Sequence, residues 1–275
     1  MTQAVPPAPP DEFRLDGYVA LVTGAGRGIG AAIARAYARA GADLVLVART
    51  AADLDAVAAD VRAFGRTALL IPADITDVSR AAEIVEHAIA EHGRLDVLVN
   101  NAGGAMPARY LDTTPEALDA AFHFNVAAPF ELTKRATPYL LDSGRGSVVT
   151  ITSRMDRLVA RGMVTYGTVK AAVTQLTRLL AAELAPGVRV NGIAPGVVET
   201  EALGQVLTGE LRARIISATP LHRLATVADV ASTARWLASP AASYLTGKII
   251  ELDGGAETPV FPDDTPDPGG RSRRQ

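Results

Sequence analysis

Short apolar runs alternate with alanine-rich amphipathic stretches along most of this chain. The alternation is typical of a parallel sheet buried under helices, because two parallel strands can only be joined by a crossover connection. It predicts an α/β fold with one doubly wound parallel sheet of about seven strands and helices on both faces. The predicted strands are residues 18–23, 43–48, 67–72, 95–100, 147–153, 189–193 and 248–252.

The ends of the chain differ in composition from this central part. Residues 1–14 begin with a proline-rich stretch, and residues 258–275 are rich in proline, glycine and charge. Such segments bury too little apolar surface to offset the entropy of ordering them. We therefore predict flexible tails at 1–14 and 258–275, around a single folded domain at 15–257.

Charge and cysteine content exclude several classes of function. The formal net charge of -3 gives no electrostatic reason to expect nucleic acid or an anionic membrane as a partner. The chain has no cysteine, so it has no disulfide, thiol nucleophile or thiolate metal site. Neither a signal peptide nor an apolar run of membrane-spanning length is present. These features predict a cytoplasmic protein.

Several helix ends can be read from the sequence. Gly41, Gly65 and Gly93 each follow a helical stretch, where glycine adopts the left-handed conformation of a helix cap without steric cost. Thr113, followed by Pro115 and Glu116, predicts a helix that starts with Thr113 as its cap.

A glycine-rich segment, Thr-Gly-Ala-Gly-Arg-Gly-Ile-Gly over residues 23–30, joins the first predicted strand to the first helix. Its glycines Gly24, Gly28 and Gly30 are spaced more widely than in the standard dinucleotide fingerprint. Glycines still allow a pyrophosphate to approach the backbone, and the helix N-terminus favours its negative charge. A Rossmann-like cofactor loop that includes Arg27 and Ile29 is predicted, with a plain tight turn as the alternative.

The end of the second strand predicts which dinucleotide binds. An acidic residue there would hold the ribose hydroxyls of NAD, but the sequence has Ala48 followed by Arg49. The Arg49 guanidinium suits a 2′-phosphate, and Arg27 could add a second positive charge. NADP(H) is therefore favoured, while NAD(H) remains an alternative. Asp74, just after the third strand, is placed either to accept a hydrogen bond from the adenine amino group or to cap a turn.

Tyr166 and Lys170 are one helical turn apart, and Ser153 lies thirteen residues before the tyrosine. A tyrosine with a pKa of about 10 is a weak base, but a neighbouring cation and a positive nicotinamide ring favour its phenolate. Ser153 ends a predicted strand, where its hydroxyl could hold a substrate oxygen near the tyrosine. Two alternatives are a chance surface pair and acyl transfer by Ser153 with Lys170, which leaves Tyr166 and the glycine loop unexplained.

These motifs together resemble the short-chain dehydrogenase/reductase family over about residues 15–255. Residues 23–30 resemble the TGxxxGxG cofactor loop of the family, and Asn100-Asn101-Ala102-Gly103 matches its NNAG motif. Asn125 is similar to the catalytic asparagine of the family and completes a tetrad with Ser153, Tyr166 and Lys170. The resemblance adds these candidate cofactor contacts: Ile75, Asn101, Ala102, Gly103, Pro195, Gly196, Val198 and Thr200.

The resemblance implies hydride transfer between the nicotinamide and a carbonyl or secondary alcohol, with no metal in the chemistry. Tyr166 would give a proton to the carbonyl oxygen, Ser153 would steady that oxygen, and Lys170 would bind the nicotinamide ribose and lower the tyrosine pKa. Asn125 would hold a water in the proton relay. The family also implies the strand order 3-2-1-4-5-6-7 and a homo-oligomer, a tetramer or a dimer. Residues 15–257 are then a dinucleotide-binding and catalytic domain.

The substrate is less constrained. Segments 189–196 and 239–247 are similar to both bacterial 3-oxoacyl reductases and bacterial hydroxysteroid dehydrogenases. We predict a 3-oxoacyl-type or general ketone reductase. One alternative is a hydroxysteroid dehydrogenase, with either NADP or NAD as its cofactor. The other alternative is a dinucleotide-binding sensor or scaffold without catalytic activity. Arg154, Arg157 and Arg161 either meet an anionic substrate group or form a solvated basic loop or subunit contact. Residues 199–219 are expected to form a mobile substrate lid.

Overall fold

The structure is a computed structural model that describes residues 11–204 and 207–259. Its central element is a seven-stranded parallel sheet. The strands are β1 Val19–Thr23, β2 Asp43–Ala48, β3 Ala68–Pro72, β4 Val97–Asn100, β5 Gly146–Ile151, β6 Val188–Pro195, β7 Val198–Glu199, β8 Ala225–Thr226 and β9 Ile249–Leu252. The strand order in the sheet is β3-β2-β1-β4-β5-β6-β9, which confirms the predicted doubly wound arrangement. The other two strands, β7 and β8, pair with each other outside this sheet.

Helices cover both faces of the sheet. Within the described ranges they are α1 Gly28–Arg39, α2 Ala51–Ala63, α3 Ala81–His92, α4 Pro115–Phe122, α5 Ala128–Asp142, α6 Val164–Leu184, α7 Glu201–Gly204, α8 Gly209–Ala218 and α9 Val227–Ala238. The apolar cores on the two faces are distinct: one includes residues of α1, α2 and α9, and the other includes residues of α3, α5 and α6.

Strand β1 shows how the sequence produces this layering. Its residues alternate between the two cores, with Ala20 and Val22 in one and Val19 and Leu21 in the other. Each of these side chains is buried, because successive side chains of a strand point to opposite faces of the sheet. A strand with a buried face on each side has no position that faces water, which explains the apolar run from Val19 to Val22.

The helix ends agree with the sequence in part. Gly41, Gly65 and Gly93 have φ values of 108°, 73° and 72°, as predicted for residues that close a helix. The predicted cap Thr113 is wrong by one residue. Thr114 caps α4 by accepting a hydrogen bond from the backbone N–H of Ala117 at 3.2 Å, whereas the Thr113 hydroxyl closes the preceding turn by donating to a backbone carbonyl.

Residues near the ends of the described range contact the folded domain. The Glu12 carbonyl accepts a hydrogen bond from the N–H of Ala241 at 3.0 Å, and Thr258 and Pro259 form part of the pocket wall described below. The remaining residues of the predicted tails, 1–10 and 260–275, lie outside the described residues. In the described part of the chain, no helix is both long enough and apolar enough to cross a membrane.

Candidate active site

A pocket of about 810 Å³ lies at the carboxyl ends of the parallel strands. It extends from the glycine-rich loop after β1 to the short turn after β5. The chain leaves β1 toward β2 on one side and leaves β4 toward β5 on the other side. Open α/β sheets bind ligands in the crevice between two such neighbouring strands. The predicted site residues in its wall are Gly24, Arg27, Ile29, Arg49, Asp74, Ile75, Asn101, Ala102, Gly103, Ser153, Tyr166, Lys170, Pro195, Gly196, Val198 and Thr200.

Three predicted site residues do not line this pocket: Gly28, Gly30 and Asn125. Gly30 has a packing role, since a Cβ there would lie 2.2 Å from the Gly24 carbonyl oxygen. Gly28 has a φ of 56°, a left-handed conformation that glycine adopts without cost as α1 begins. Both glycines therefore shape the loop rather than face the cavity.

The start of α1 is well suited to an anion. Its N-cap residue, Arg27, makes no side-chain capping hydrogen bond, and the first turn of the helix has no acidic residue. The N–H groups at a helix start carry a partial positive charge and favour a phosphate. A dinucleotide pyrophosphate therefore fits here.

The far end of the pocket combines two exposed arginines with two acids. Arg27 and Arg49 are exposed and line the wall near Ala48. Asp74 Oδ1 accepts hydrogen bonds from the N–H and hydroxyl of Thr76, at 2.9 and 2.8 Å. These bonds, with a smaller contribution from Arg49, hold the pKa of Asp74 below its ordinary value. Asp74 thus caps a turn and also faces the pocket.

The second acid, Asp53, was not predicted from the sequence. It lies in the first turn of α2 and lines the pocket. A Cβ on Gly26 would lie 2.8 Å from the Asp53 Cβ, so this carboxyl group sits beside the glycine loop. The only available sequence signal was its place one turn into the helix that follows β2.

Polar contacts bind the NNAG segment to the glycine loop. Asn101 Nδ2 donates to the Thr23 carbonyl at 2.9 Å, and Thr23 Oγ1 accepts from the N–H groups of Asn101 and Ala102 at 3.0 and 3.1 Å. Since Thr23 ends β1 and Asn101 follows β4, these bonds fix two strand ends against each other.

Asn125 holds the loop that follows this segment. It lies in a π-helical turn, His123–Ala127, and its side-chain amide exchanges two hydrogen bonds with the backbone of Gly104, each 2.9 Å long. A third bond links Nδ2 to the Ala121 carbonyl, also at 2.9 Å. The side chain is therefore occupied by protein partners that position the pocket wall.

Ser153, Tyr166 and Lys170 meet at the other end of the pocket. Ser153 lies two residues beyond β5, where its hydroxyl accepts a hydrogen bond from the Met155 N–H at 3.2 Å. The same hydroxyl is close enough to the Tyr166 side chain to act on its pKa. Lys170 Nζ donates to the Ile151 carbonyl at 3.1 Å and lies 5.8 Å from the centre of the Tyr166 ring. The structure thus brings together three residues that the sequence predicted to act together.

Burial dominates the protonation of this group. It raises the pKa of Tyr166, and the hydrogen bond with Ser153 only partly opposes the rise. It also lowers the pKa of Lys170 to about 8. In the cofactor-free protein burial is the main cause of the raised Tyr166 pKa, and the expectation that Lys170 lowers this pKa in the working enzyme stays a prediction. The Tyr166 phenol is therefore protonated at neutral pH.

The arginines after Ser153 have partners within the chain. Arg154 is buried, lines the pocket and forms an ion pair with Asp253. Arg157 is exposed and forms an ion pair with Glu251. The expectation of a solvated basic loop is therefore wrong for Arg154, because β9 brings Asp253 against it.

The remaining wall near Ser153 is mostly apolar. Sequence reasoning did not identify these residues, since apolar side chains in a loop carry no specific signal. They are Met155, Leu158, Ala160, Met163, Leu203 and Ala256. Thr200, Leu203 and Thr219 bring the predicted lid segment into the wall, while its residues 205 and 206 lie outside the described part.

Comparison with known proteins gives close relatives over most of the chain. A family profile described as enoyl-(acyl carrier protein) reductase matches residues 24–257. An uncharacterised oxidoreductase of Mycobacterium tuberculosis is 51% identical over 251 residues, covering 90% of this chain and 95% of the relative. The 7alpha-hydroxysteroid dehydrogenase of Escherichia coli K12 is 37% identical over 246 residues, covering 89% of this chain and 96% of the relative.

Solved structures agree with these sequence matches. A 7alpha-hydroxysteroid dehydrogenase in complex with NADH and 7-oxo glycochenodeoxycholic acid superposes with a TM-score of 0.88 at 36% sequence identity. The match covers 92% of this chain and 98% of that one.

Proposed function

The chain belongs to the short-chain dehydrogenase/reductase family, oxidoreductases that act on alcohol and ketone groups. We therefore propose that it is an NADP(H)-dependent carbonyl reductase that uses Tyr166 as its proton donor. The observation that carries the proposal is that Ser153, Tyr166 and Lys170 line one pocket, with Lys170 Nζ 5.8 Å from the centre of the Tyr166 ring.

The pocket suits a dinucleotide along its length. The pyrophosphate would lie at the uncapped start of α1, beside Gly24 and Ile29. At Gly103 a Cβ would lie 2.7 Å from Asn125 Oδ1 and 3.4 Å from Lys170 Nζ, so only glycine leaves this part of the wall open. The residues that would hold the nicotinamide end are Asn101, Ala102, Tyr166, Lys170, Pro195, Gly196, Val198 and Thr200. When bound, the cofactor supplies or accepts the hydride.

The preference for NADP(H) rests on charge. Arg27 and Arg49 lie at the pocket end where β2 stops, and Ala48 provides no carboxylate that would repel a 2′-phosphate. Asp53 is the observation that favours the alternative, NAD(H), because its carboxyl could accept a hydrogen bond from a ribose hydroxyl. The two arginines, together with the absence of a carboxylate at Ala48, favour the phosphate.

The proton chemistry follows from the protonation of the site. Tyr166 donates its proton to the carbonyl oxygen of the substrate, and Ser153 holds that oxygen by a hydrogen bond. The raised pKa of Tyr166 keeps the proton in place at neutral pH until the substrate oxygen becomes basic. Lys170 provides a positive charge nearby, which stabilises the phenolate that is left.

The substrate is a ketone or the corresponding secondary alcohol, held against an apolar wall. The Met155, Leu158 and Met163 side chains favour a hydrocarbon group beside the reacting carbon. A 3-oxoacyl-type or general ketone substrate fits this wall, and the relatives that act on hydroxysteroids make a steroid the second candidate.

Two further proposals concern the protein in the cell. We propose that it acts in the cytoplasm, since it has no cysteine to form disulfides. We also propose a homo-oligomer, a tetramer or a dimer, as the family implies. Sedimentation velocity tests the second proposal, and a purely monomeric species at micromolar concentration would contradict it.

A substrate panel tests the proposed activity. The purified protein is mixed with NADPH or NADH and with 3-oxoacyl esters, a 7-oxosteroid or simple ketones, and the loss of reduced-cofactor absorbance is followed. We expect turnover with at least one ketone and a preference for NADPH. Cofactor binding with no turnover across the panel, in either direction, would support the silent sensor instead.

A further inference from the structure

A side-chain hydrogen bond joins the turn after β5 to helix α6. Thr174 Oγ1, on α6, donates to Asp156 Oδ2 at 2.5 Å. Thr174 is buried, whereas Asp156 is partly buried and lies three residues after Ser153. A hydroxyl that donates to a carboxylate over so short a distance forms a charge-assisted bond, which is stronger than a bond between neutral groups. Neither Asp156 nor Thr174 lines the pocket, so the bond has no direct contact with a ligand there.

Thr174 differs from other threonines inside helices of this protein. A helical threonine often donates its hydroxyl to the backbone carbonyl four residues before it. Thr137, Thr177 and Thr233 do this in α5, α6 and α9, at 2.8, 2.9 and 3.1 Å. Thr174 instead donates to a residue outside its own helix. Its hydroxyl therefore connects two elements of the fold.

Two further contacts hold the end of β5 and the following turn against α6. Lys170 Nζ donates to the Ile151 carbonyl at 3.1 Å. A Cβ on Gly167 would lie 3.2 Å from the Met155 carbonyl oxygen, so the turn closely approaches the helix there. The segment 151–156 is thus held along the helix that bears Tyr166.

Tyr166, Lys170 and Thr174 recur at intervals of four residues, which places them on one face of α6. Asp156 bonds to the last of them, and its N–H donates to the Ser153 carbonyl at 3.0 Å, which closes the turn. We propose that Asp156 and Thr174 are positioning residues, which fix the distance between the Ser153 hydroxyl and the Tyr166 phenol. This inference rests on the proposed carbonyl reduction and deepens it.

Removing the Thr174 hydroxyl tests the positioning role. Thr174→Val keeps the shape of the side chain and breaks the bond to Asp156. A misplacement of about 1 Å can cost about 10²-fold in rate, and two other contacts still hold the turn, so we expect kcat for ketone reduction to fall roughly tenfold. The KM for the ketone and the affinity for NADPH should stay within about twofold of the wild type, because the lost alignment matters mainly in the transition state. Steady-state kinetics and fluorescence titration measure these quantities.

Thr177→Val is the matched control. Thr177 is buried on the same helix, but its hydroxyl donates within α6. Both valine variants lose one buried hydroxyl, so they should lower the melting temperature by similar amounts, while only Thr174→Val lowers kcat. Thr174→Ser keeps a hydroxyl and should restore most of kcat. An equal fall of kcat in Thr177→Val would overturn the positioning role.

A second variant serves if Thr174→Val does not fold. Asp156→Ala breaks the same bond from the partly buried side, in the turn, and should give the same fall in kcat. Unchanged kcat in a folded variant that lacks the bond, whether Thr174→Val or Asp156→Ala, would overturn the inference.

A kinetic double-mutant cycle tests whether the bond acts through Tyr166. In a Tyr166→Phe background there is no phenol to position, so adding Thr174→Val should lower the residual rate by less than about twofold. A fall of about tenfold in that background would show that the two effects are independent. That result would overturn the positioning role and leave Tyr166 as the proton donor.

Crystallography separates this inference from the proposed activity. Crystal structures of the wild type, Thr174→Val and Thr177→Val give the distance between Ser153 Oγ and Tyr166 Oη. Catalytic groups must be held within about 0.5 Å of their productive geometry, so we expect Thr174→Val to change this distance by at least about 0.5 Å and Thr177→Val to leave it unchanged. This result supports the positioning role even if no ketone is reduced. An unchanged distance in Thr174→Val overturns it, whether or not the carbonyl reductase is active.

Discussion

The central sheet has an amino edge, where its parallel strands begin, and a carboxyl edge, where they end. Buried charged side chains have opposite roles at these two edges. At the amino edge, Asp96 is fully buried and accepts hydrogen bonds from the Val19 N–H at 2.8 Å, from Arg94 at 2.7 Å and from Arg145 at 2.8 Å. At the carboxyl edge, the Nζ of the buried Lys170 donates to one protein acceptor within the described residues, the Ile151 carbonyl at 3.1 Å.

The difference separates stability from function. A buried charge whose partners are all supplied by the protein stabilises the fold and has nothing left to offer a ligand. A buried charge with unused donors costs stability, which a ligand can recover on binding. The amino edge therefore joins β1, β4 and β5, and the carboxyl edge is the proposed site of chemistry. The predictions below test this division.

The largest effect is expected at the carboxyl edge. Tyr166→Phe removes the proton donor and keeps the ring, so the rate of ketone reduction should fall by about 10³-fold, within the usual range for general acid catalysis. The affinity for NADPH should stay within about twofold of the wild type, since one hydroxyl among many contacts is lost. Steady-state kinetics and fluorescence titration measure the two quantities. A variant that retains wild-type turnover would contradict the assignment.

At the amino edge the effect should fall on stability. Asp96→Asn leaves Arg94 and Arg145 without their carboxylate, and because both arginines reach water the free energy of unfolding should drop by about 2 kcal/mol, below the range for fully buried pairs. Denaturant unfolding measures the loss. Asp60→Asn is the control, since the Arg35–Asp60 pair is about half exposed and should change stability by less than about 1 kcal/mol. Equal losses in the two variants would argue against the distinction.

Lys170 should cost stability in the cofactor-free protein. Its pKa is lowered from 10.5 to about 8 by burial, so below pH 8 the folded protein carries a charge that burial disfavours. Burying this charge costs roughly 3 kcal/mol. Replacing Lys170 by methionine removes that cost but also removes the hydrogen bond to the Ile151 carbonyl, which is worth about 1 kcal/mol. Lys170→Met should therefore raise the free energy of unfolding by about 2 kcal/mol at pH 7.

The pH dependence gives the sign of this effect. The folded protein releases the proton of Lys170 at a lower pH than the unfolded chain, so wild-type stability should rise between pH 8 and 10.5 relative to Lys170→Met. The advantage of the variant should then disappear across this window. Lys134→Met, at an exposed position, provides the control. A constant difference at every pH would mean that burial does not lower the pKa of Lys170.

The smallest effect concerns cofactor choice. Arg49→Ala should weaken NADPH binding by about tenfold, as expected for the loss of one exposed charge-assisted contact, and leave NADH binding unchanged. Arg62 lies on α2 outside the pocket. Arg62→Ala is therefore the control, and it should change the affinity for neither NADPH nor NADH. Isothermal titration measures both cofactors. Tighter binding of NADH by the wild type would reverse the assignment to NADP(H).

The sequence was sufficient for the fold because its signals are local and repeated. Each buried strand appears as an apolar run, and Gly41, Gly65 and Gly93 mark helix ends through a conformation that glycine tolerates best. The capping residue of α4 was placed one position early, because Thr113 and Thr114 have the same side chain and only the three-dimensional turn decides which one caps.

The site was predictable where spacing along one element decided it. Tyr166 and Lys170 share α6, so their proximity follows from the helical repeat. The ion pair of Arg154 with Asp253 joins residues 99 positions apart across two strand ends, which no local pattern records. The raised pKa of Tyr166 was likewise missed, because burial depends on the whole fold and outweighs a neighbouring side chain.

Turnover and thermal stability measured side by side for Tyr166→Phe and Asp96→Asn test the division between the two edges most directly. We predict that Tyr166→Phe loses about 10³-fold in NADPH-dependent ketone reduction with an unchanged melting temperature. Asp96→Asn should melt about 5 °C lower and, while folded, reduce the ketone at the wild-type rate. A Tyr166→Phe variant that still turns over as fast as the wild type would contradict this division.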